Sequence, residues 1–379
     1  MSSSPWYRRR PIQAWVEAGA LYLRPADSNK TVRLDETGRR IWELLEYAAI
    51  LDEVAGRLAA EYAGDSHTIR SDVEACVGYL SRRGVVEACD APSATERQRS
   101  RYLGLLKRSL VNLVYPEHEL RIRYLRKSLR APERPGEVRL EETRLLRDIR
   151  YRQPEAYRAL ADAKLDCVGG QFDRVPICFP HTMLGITGLD NLERAAETVF
   201  ADGIPGDFLE AGVCQGGASI FLRALQVAFD EDGRRVWVAD SFQGLPAPEH
   251  SADVGSGLDF TEPSFPVLAF GLDGVRDNFV RYDLLDERVS FLPGWFADTL
   301  SSAPTGSLAI LRMDGDLYSS TREVLDALYD RVSPGGFVIA DDYGFLPFCR
   351  QAVDDFRAER EIREPLLHVD RSVVYWRKG

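Results

Sequence analysis

The 379-residue sequence is poor in histidine, with five, and in methionine, with three. The histidines show neither HExxH nor HxH spacing, which argues against a catalytic zinc. Six cysteines (Cys76, Cys89, Cys167, Cys178, Cys214 and Cys349) lie scattered and form no CxxC pair. Scattered thiols fit a reducing, cytoplasmic setting with neither a disulfide framework nor a zinc site. No apolar run approaches the roughly 20 residues that a bilayer crossing needs; ILDEVAGRLAA and GGFVIA are too short or too interrupted. The opening MSSSPWYRRR has no apolar stretch behind its basic residues, so no signal peptide is expected.

What is present reads as an ordinary globular chain, 45% hydrophobic and 28% charged. At about 100–200 residues per domain it holds two or three domains. The net charge of −11 is uneven: residues 1–90 carry −2, residues 96–152 carry +8, and the rest is strongly acidic. An acidic body argues against nucleic acid as a partner, because phosphate binding needs a basic footprint. The basic stretch serves an acidic partner or is a solvated helical face. No membrane partner is expected, and a homo-oligomer is.

Residues 13–24 read as a hairpin and 31–34 as a third short strand. Asp35 is placed to cap a helix over about 37–47, with Ile41, Trp42, Leu44 and Leu45 on one face. Leu51, Val54, Leu58 and Tyr62 mark a second amphipathic helix, and Val73, Val77 and Leu80 a third ending before Gly84. The expectation is a small α+β, winged-helix-like domain over residues 1–90. Residues 90–100 are small and polar and read as a linker. A linker and helical cover region, with a break at 131–137, fills 91–180.

From residue 181 buried strands alternate with helices, the mark of a doubly wound, Rossmann-like α/β sheet through residue 379. Ligands of such sheets sit beyond the carboxyl ends of the strands. Glu210-Ala-Gly-Val-Cys-Gln-Gly216-Gly217 leaves the first of these strands, and Asp240 ends the next, where a carboxylate can take both ribose hydroxyls. The turn is E-x-G-x-x-x-G rather than G-x-G-x-x-G, which favours S-adenosylmethionine over NAD. Asp314 and Asp316 end one later strand, and Asp341 and Asp342 the next. Converging carboxylates repel unless a cation neutralises them, and oxygen ligands suit Mg²⁺. Asp314 is the candidate base. Asp316 alternatively bonds the turn backbone or caps the next helix. His181 assists or merely packs, Cys214 fills space, and the loop 246–266 with His250 closes over substrate.

Two resemblances add to this. LDETGRRIWELL, DEVAGRLAAEY and SDVEACVGYLSRRGVV resemble the PqqD-like family over about residues 12–88, although Glu46-Tyr47-Ala48 stands where that family often has a glycine. The resemblance implies a precursor or leader peptide docking as an extra strand beside Thr31–Leu34, against the third helix. TMLGITGLDNL, DFLEAGVCQGGAS, VADSFQGLP, GWFADTL, LRMDGDLYSST and GGFVIADDY, in that order, resemble the macrocin O-methyltransferase family over about 101–379. Carried over by motif, Thr182 and Met183 lie under the cofactor, with Glu210, Gly212 and Gly216 by its methionine and ribose. Asp240 and Ser241 fall at the ribose, and Gly294 and Trp295 near the adenine. Asp314, Asp341 and Asp342 are the implied metal ligands. The joint expectation is a metal-dependent O-methyltransferase acting on a ribosomally made peptide. The alternatives are a sugar hydroxyl of a small natural product or a non-catalytic peptide-binding scaffold, with the acceptor atom, hydroxyl or carboxylate, left open.

Overall fold

A computed structural model describes residues 5–10, 12–17, 20–25, 28, 30–46, 49–62, 64–128, 148–165, 180–255, 257, 261 and 268–379. The expected break at 131–137, Tyr47-Ala48, Cys167, Cys178 and much of the loop end at 256–267 fall outside these residues.

The first unit carries two three-stranded sheets. Strands β2 (Ile12–Glu17), β3 (Ala20–Pro25) and β4 (Val32–Leu34) form the expected antiparallel set, with β4 at one edge. Strand β1 (Trp6–Arg9), by contrast, lies between β5 (Ala49–Ile50) and β6 (Val86–Cys89). The opening residues, to which the sequence alone assigns no strand, thus supply the centre of a sheet. Arg9 makes this possible: its guanidinium lies 3.6 Å over the Trp42 ring and donates to the Trp42 and Glu43 carbonyls. The three helices run Glu36–Leu44, Leu51–Glu61 and Ser66–Arg82. Asp35 caps the first, accepting from the Gly38 N–H. Burial of Ile41, Trp42, Leu58, Val77 and Leu80 orients them on the sheets.

The second unit is built on seven strands: β7 (Asp207–Ala211), β8 (Val236–Asp240), β9 (Val289–Pro293), β10 (Leu308–Met313), β11 (Val332–Ala340), β12 (Leu367–His368) and β13 (Val374–Arg377). Their order is β12-β13-β11-β10-β7-β8-β9. Strands β7 to β11 are mutually parallel, and β13 runs antiparallel to β11. The chain leaves β7 towards β8 and β9, then returns to place β10 on its other side, so the switch point lies beside β7. Phe208, Leu209, Ile310, Leu311, Val338 and Ile339 are essentially inaccessible, as both faces are covered. Each such side chain contributes about 1.5–3 kcal/mol by leaving water.

The two units share one apolar core, which runs from Leu21, Trp42 and Leu80 through Leu103 to Leu189 and Phe221. Polar contacts also join them. Arg39 pairs with Asp162 of the cover region at 2.6 Å, and the Gln13 amide donates directly to the second unit's Asp370 carbonyl at 2.9 Å. Among the described residues no helix is long and apolar enough to cross a membrane.

Candidate active site at the strand ends

Ladder register builds the site. Ala211 of β7 and Ala340 of β11 both lie opposite Met313 of β10. The next residues, Gly212, Asp314 and Asp341, therefore emerge side by side. The Asp314 N–H donates to the Ala211 carbonyl and the Asp341 N–H to the Met313 carbonyl. Gly212 has φ of +86°, and a Cβ there would lie 1.8 Å from the Asp314 carbonyl oxygen. Only glycine permits this approach. Gly217 opens the helix Gly217–Ala228 against the His181 carbonyl, where a Cβ would lie 2.2 Å from the oxygen.

A cation that sequence reading missed sits beneath these ends. Arg312 is buried on β10, with Nη1 2.5 Å from Glu210 Oε1 and Nη2 3.0 Å from Asp314 Oδ2 and 2.7 Å from Asp341 Oδ1. Glu210 also accepts from the Ser219 hydroxyl. Burial pushes Glu210 up to about 7, against the pull of Arg312. The sequence signal was there: an arginine within an otherwise apolar strand, LAILRM, followed by acids.

Asp314, Asp316 and Asp342 form a second grouping, one carboxylate oxygen of each lying within 4.8 Å of the others. Asp342 is buried, and its Oδ2 has no hydrogen-bond partner. Burial, followed by the neighbouring carboxylates, pushes Asp316 and Asp342 well above the usual range. Of the expected metal set, Asp314 and Asp342 are thus brought together, while Asp341 is held on Arg312 and Asp316 joins in its place. Asp316 caps nothing: the helix Tyr318–Leu328 is capped by Asp253, which accepts from the Tyr318 N–H at 2.6 Å, the Ser319 N–H at 3.2 Å and the Ser319 hydroxyl at 3.0 Å. Asp253 comes from the loop 246–266 and is fully buried.

Above the carboxylates opens a cavity of about 490 Å³. Five of the expected cofactor residues line it: Met183, Gly212, Asp240, Ser241 and Trp295. So do Asp314 and Asp316, and Leu245 and Glu249 from the loop wall. Thr182, Glu210, Gly216 and Gly294 are not in the lining. Thr182 accepts from the Leu184 N–H beneath it, and Gly216 and Gly294 shape turns, with φ of +84° and +136°. Asp240 Oδ2 accepts from the Val213 N–H at 2.8 Å, and Oδ1 from the Phe242 N–H at 2.7 Å and the Ser241 hydroxyl at 3.4 Å. It pins the glycine turn to β8 and keeps further lone pairs for a ligand. Three non-glycine residues hold positive φ at these strand exits: Cys214 (48°), Phe242 (57°) and Asp316 (56°). Left-handed backbone of this kind stores strain and concentrates at functional sites. His181 stays outside the lining and bonds the Tyr282 hydroxyl at 2.7 Å, a packing role. His250 stacks on Tyr318 with centroids 4.0 Å apart.

A second cavity, of about 630 Å³, lies between the first unit and the cover helices. Arg33 and Leu34 of β4 line it with Tyr151, Tyr157 and Arg158. None of its lining comes from the helix Ser66–Arg82, against which a docked strand was expected.

Comparison with known proteins gives two family matches. Residues 99–378 match the family described as Macrocin-O-methyltransferase (TylF), and residues 22–86 match Coenzyme PQQ synthesis protein D (PqqD). The 8-demethyl-8-(2,3-dimethoxy-alpha-L-rhamnosyl)-tetracenomycin-C 4'-O-methyltransferase of Streptomyces olivaceus is 43% identical over 286 residues, 75% of this chain and 94% of that protein. The demethyldecarbamoylnovobiocin O-methyltransferase of Streptomyces niveus is 49% identical over 198 residues, 52% of this chain and 76% of that protein. The mycinamicin III 3''-O-methyltransferase of Micromonospora griseorubida is 48% identical over 202 residues, 52% of this chain and 79% of that protein. Among solved structures, that of the O-methyltransferase NovP superposes with a TM-score of 0.58 at 38% identity, covering 74% of this chain and 99% of that one.

Proposed function

The chain belongs to the macrocin O-methyltransferase family and is an S-adenosylmethionine-dependent O-methyltransferase; from that premise we propose that its acceptor is a sugar hydroxyl of a small glycosylated natural product. The observation that carries the reading is the carboxylate-lined cavity at the switch point, together with relatives whose names specify methylation of such molecules. This replaces the peptide as the leading acceptor.

S-adenosylmethionine supplies an electrophilic methyl group carried on a sulfonium. The chain's part is to hold both reactants and take a proton. Asp240 offers its remaining lone pairs to ribose hydroxyls, and Met183 and Trp295 supply apolar walls. Asp314 Oδ2 is committed to Arg312, which leaves Oδ1 to accept the proton of the acceptor hydroxyl. Holding that hydroxyl in line is worth as much as the base, since effective concentration rises steeply with orientation.

A divalent cation fits Asp314, Asp316 and Asp342. The donors are all oxygen, the carboxylates are mutually close, and the unpartnered Asp342 Oδ2 lacks the compensation a buried oxygen needs. Held by these three carboxylates, Mg²⁺ would supply Lewis acidity that eases loss of the acceptor hydroxyl's proton. The test is methyl transfer from labelled S-adenosylmethionine to deoxysugar glycosides, with Mg²⁺ or excess EDTA, in wild type and Asp314→Asn. The reading expects transfer with Mg²⁺, none with EDTA and none in the variant. Full activity in EDTA removes the cation from the account.

A second reading concerns the first unit. The PqqD match and the open edge of β4 beside the 630 Å³ cavity support peptide docking by strand addition. Fluorescence polarisation with a labelled leader peptide tests it on the full chain. Micromolar binding lost in Val32→Pro supports it, and no binding discards it.

A further inference from the structure

We infer that Arg312 is a positioning residue for the reaction: it acts through Asp314 and Asp341 and fixes which carboxylate oxygens remain for a cation and a proton. The inference rests on the cation reading proposed above.

Arg312 sits where apolar packing does not ask for it. Its five companions on β10, Leu308 to Leu311 and Met313, are all apolar and buried, and its side chain is 3% exposed. In the ladder it lies opposite Glu210 of β7. From there its planar fork spans the ends of three strands, reaching Glu210 on β7, Asp314 beyond β10 and Asp341 beyond β11. Among the described residues no other cationic side chain pairs with these three carboxylates. Lysine cannot reproduce this, because an ammonium is a point charge without fork geometry.

The fork has a directional consequence. It takes Oδ2 of Asp314 and Oδ1 of Asp341, so the rotation of each carboxylate is set from below. That leaves Oδ1 of Asp314 outside the fork, in a side chain grouped with Asp316 and Asp342. Glu210 anchors the guanidinium at its far end and is itself held by Ser219. The order of support is thus Ser219, Glu210, Arg312, then Asp314. Only the last member lines the cavity. A fixed internal cation also compensates the buried Glu210 and Asp341 and the half-buried Asp314 before any metal arrives.

The test uses the full-length chain, Arg312→Lys, Glu210→Gln and the double variant. Mn²⁺ binding is followed by electron paramagnetic resonance and S-adenosylhomocysteine binding by calorimetry. Arg312→Lys is expected to bind Mn²⁺ at least tenfold more weakly, and S-adenosylhomocysteine within threefold of wild type. Glu210→Gln is expected to lose at least threefold in Mn²⁺ affinity, and the double variant to be no worse than Arg312→Lys within twofold, as members of one chain are non-additive. Mn²⁺ affinity of Arg312→Lys within twofold of wild type overturns the inference, as does simple additivity. If Arg312→Lys does not fold, unchanged Mn²⁺ affinity in Glu210→Gln overturns it. A wild-type chain that binds no Mn²⁺ removes the cation reading and this inference with it, whereas wild-type binding with unaffected variants removes this inference alone.

Discussion

Replacing Gly212 by alanine tests how closely the strand ends are matched. The new Cβ would sit 1.8 Å from the Asp314 carbonyl oxygen, and real Cβ atoms essentially never approach below 3.0 Å. The backbone at Asp314 must therefore retreat by at least about 1.2 Å, or β7 and β10 must part. Holding an L-residue in the left-handed region at φ +86° costs about 1–2 kcal/mol. Overpacking a rigid site costs about 1–3 kcal/mol more. The sum, about 2–5 kcal/mol, is measurable by urea unfolding. The larger consequence is chemical. In the proposed reaction Asp314 is both the base and a cation ligand, and a displacement of about 1 Å in a reacting group lowers turnover by roughly 100-fold. Gly203→Ala is the matched control: its φ is also positive, +63°, but a Cβ there meets nothing within 4 Å. It should lose about 1–2 kcal/mol of stability and no turnover. If Gly212→Ala keeps wild-type turnover, Asp314 does not do the chemistry assigned to it.

Asp253→Ala should cost about 1.5–3 kcal/mol by urea unfolding, because three donors at a helix start lose a charged acceptor; a loss below 0.5 kcal/mol would mean water replaces the cap. Asp240→Ala should weaken S-adenosylmethionine at least tenfold by calorimetry, since it removes the proposed ribose ligand and frees the glycine turn together. His181 is held below its ordinary pKa by burial and then by Arg281. The unfolded chain therefore binds the proton more readily, so this contribution to stability is complete above the ordinary value of 6.5 and is lost as pH falls from there through the folded value. Histidine NMR should find His181 neutral at pH 6.5, and His181→Gln should flatten the acid side of the stability profile. Cys214, pushed up by burial and then by Asp314, should resist Ellman's reagent at pH 8 in the native chain and react once unfolded.

Local signals made much of this molecule legible. Strands β7, β8, β10 and β11 are apolar runs that end in glycine or acid, so both their existence and their polarity could be taken from the chain. The Asp35 cap is a contact over three residues, and its pattern sits within one window. What escaped depends on partners far away in sequence. Arg312 lies 102 residues from Glu210 and 29 from Asp341. Asp253 caps a helix 65 residues later. β1 carries no apolar alternation to mark it, with Arg8 and Arg9 as half of its residues, and its strand character comes from β5 and β6 on either side. The surroundings of the expected metal ligands depend on the same long-range level. Adjacent strand ends do bring Asp314 and Asp341 together, but an arginine between them decides which oxygens stay available.

The most direct measurement of the central claim is the position of the transferred methyl group. The full-length chain, labelled S-adenosylmethionine and Mg²⁺ are incubated with a deoxysugar glycoside and a candidate leader-bearing peptide in one vessel, and the products are resolved by mass spectrometry and NMR. The account predicts an alkali-stable methyl ether on a sugar hydroxyl and no labelled peptide. Label on the peptide, or an alkali-labile ester on either molecule, contradicts it.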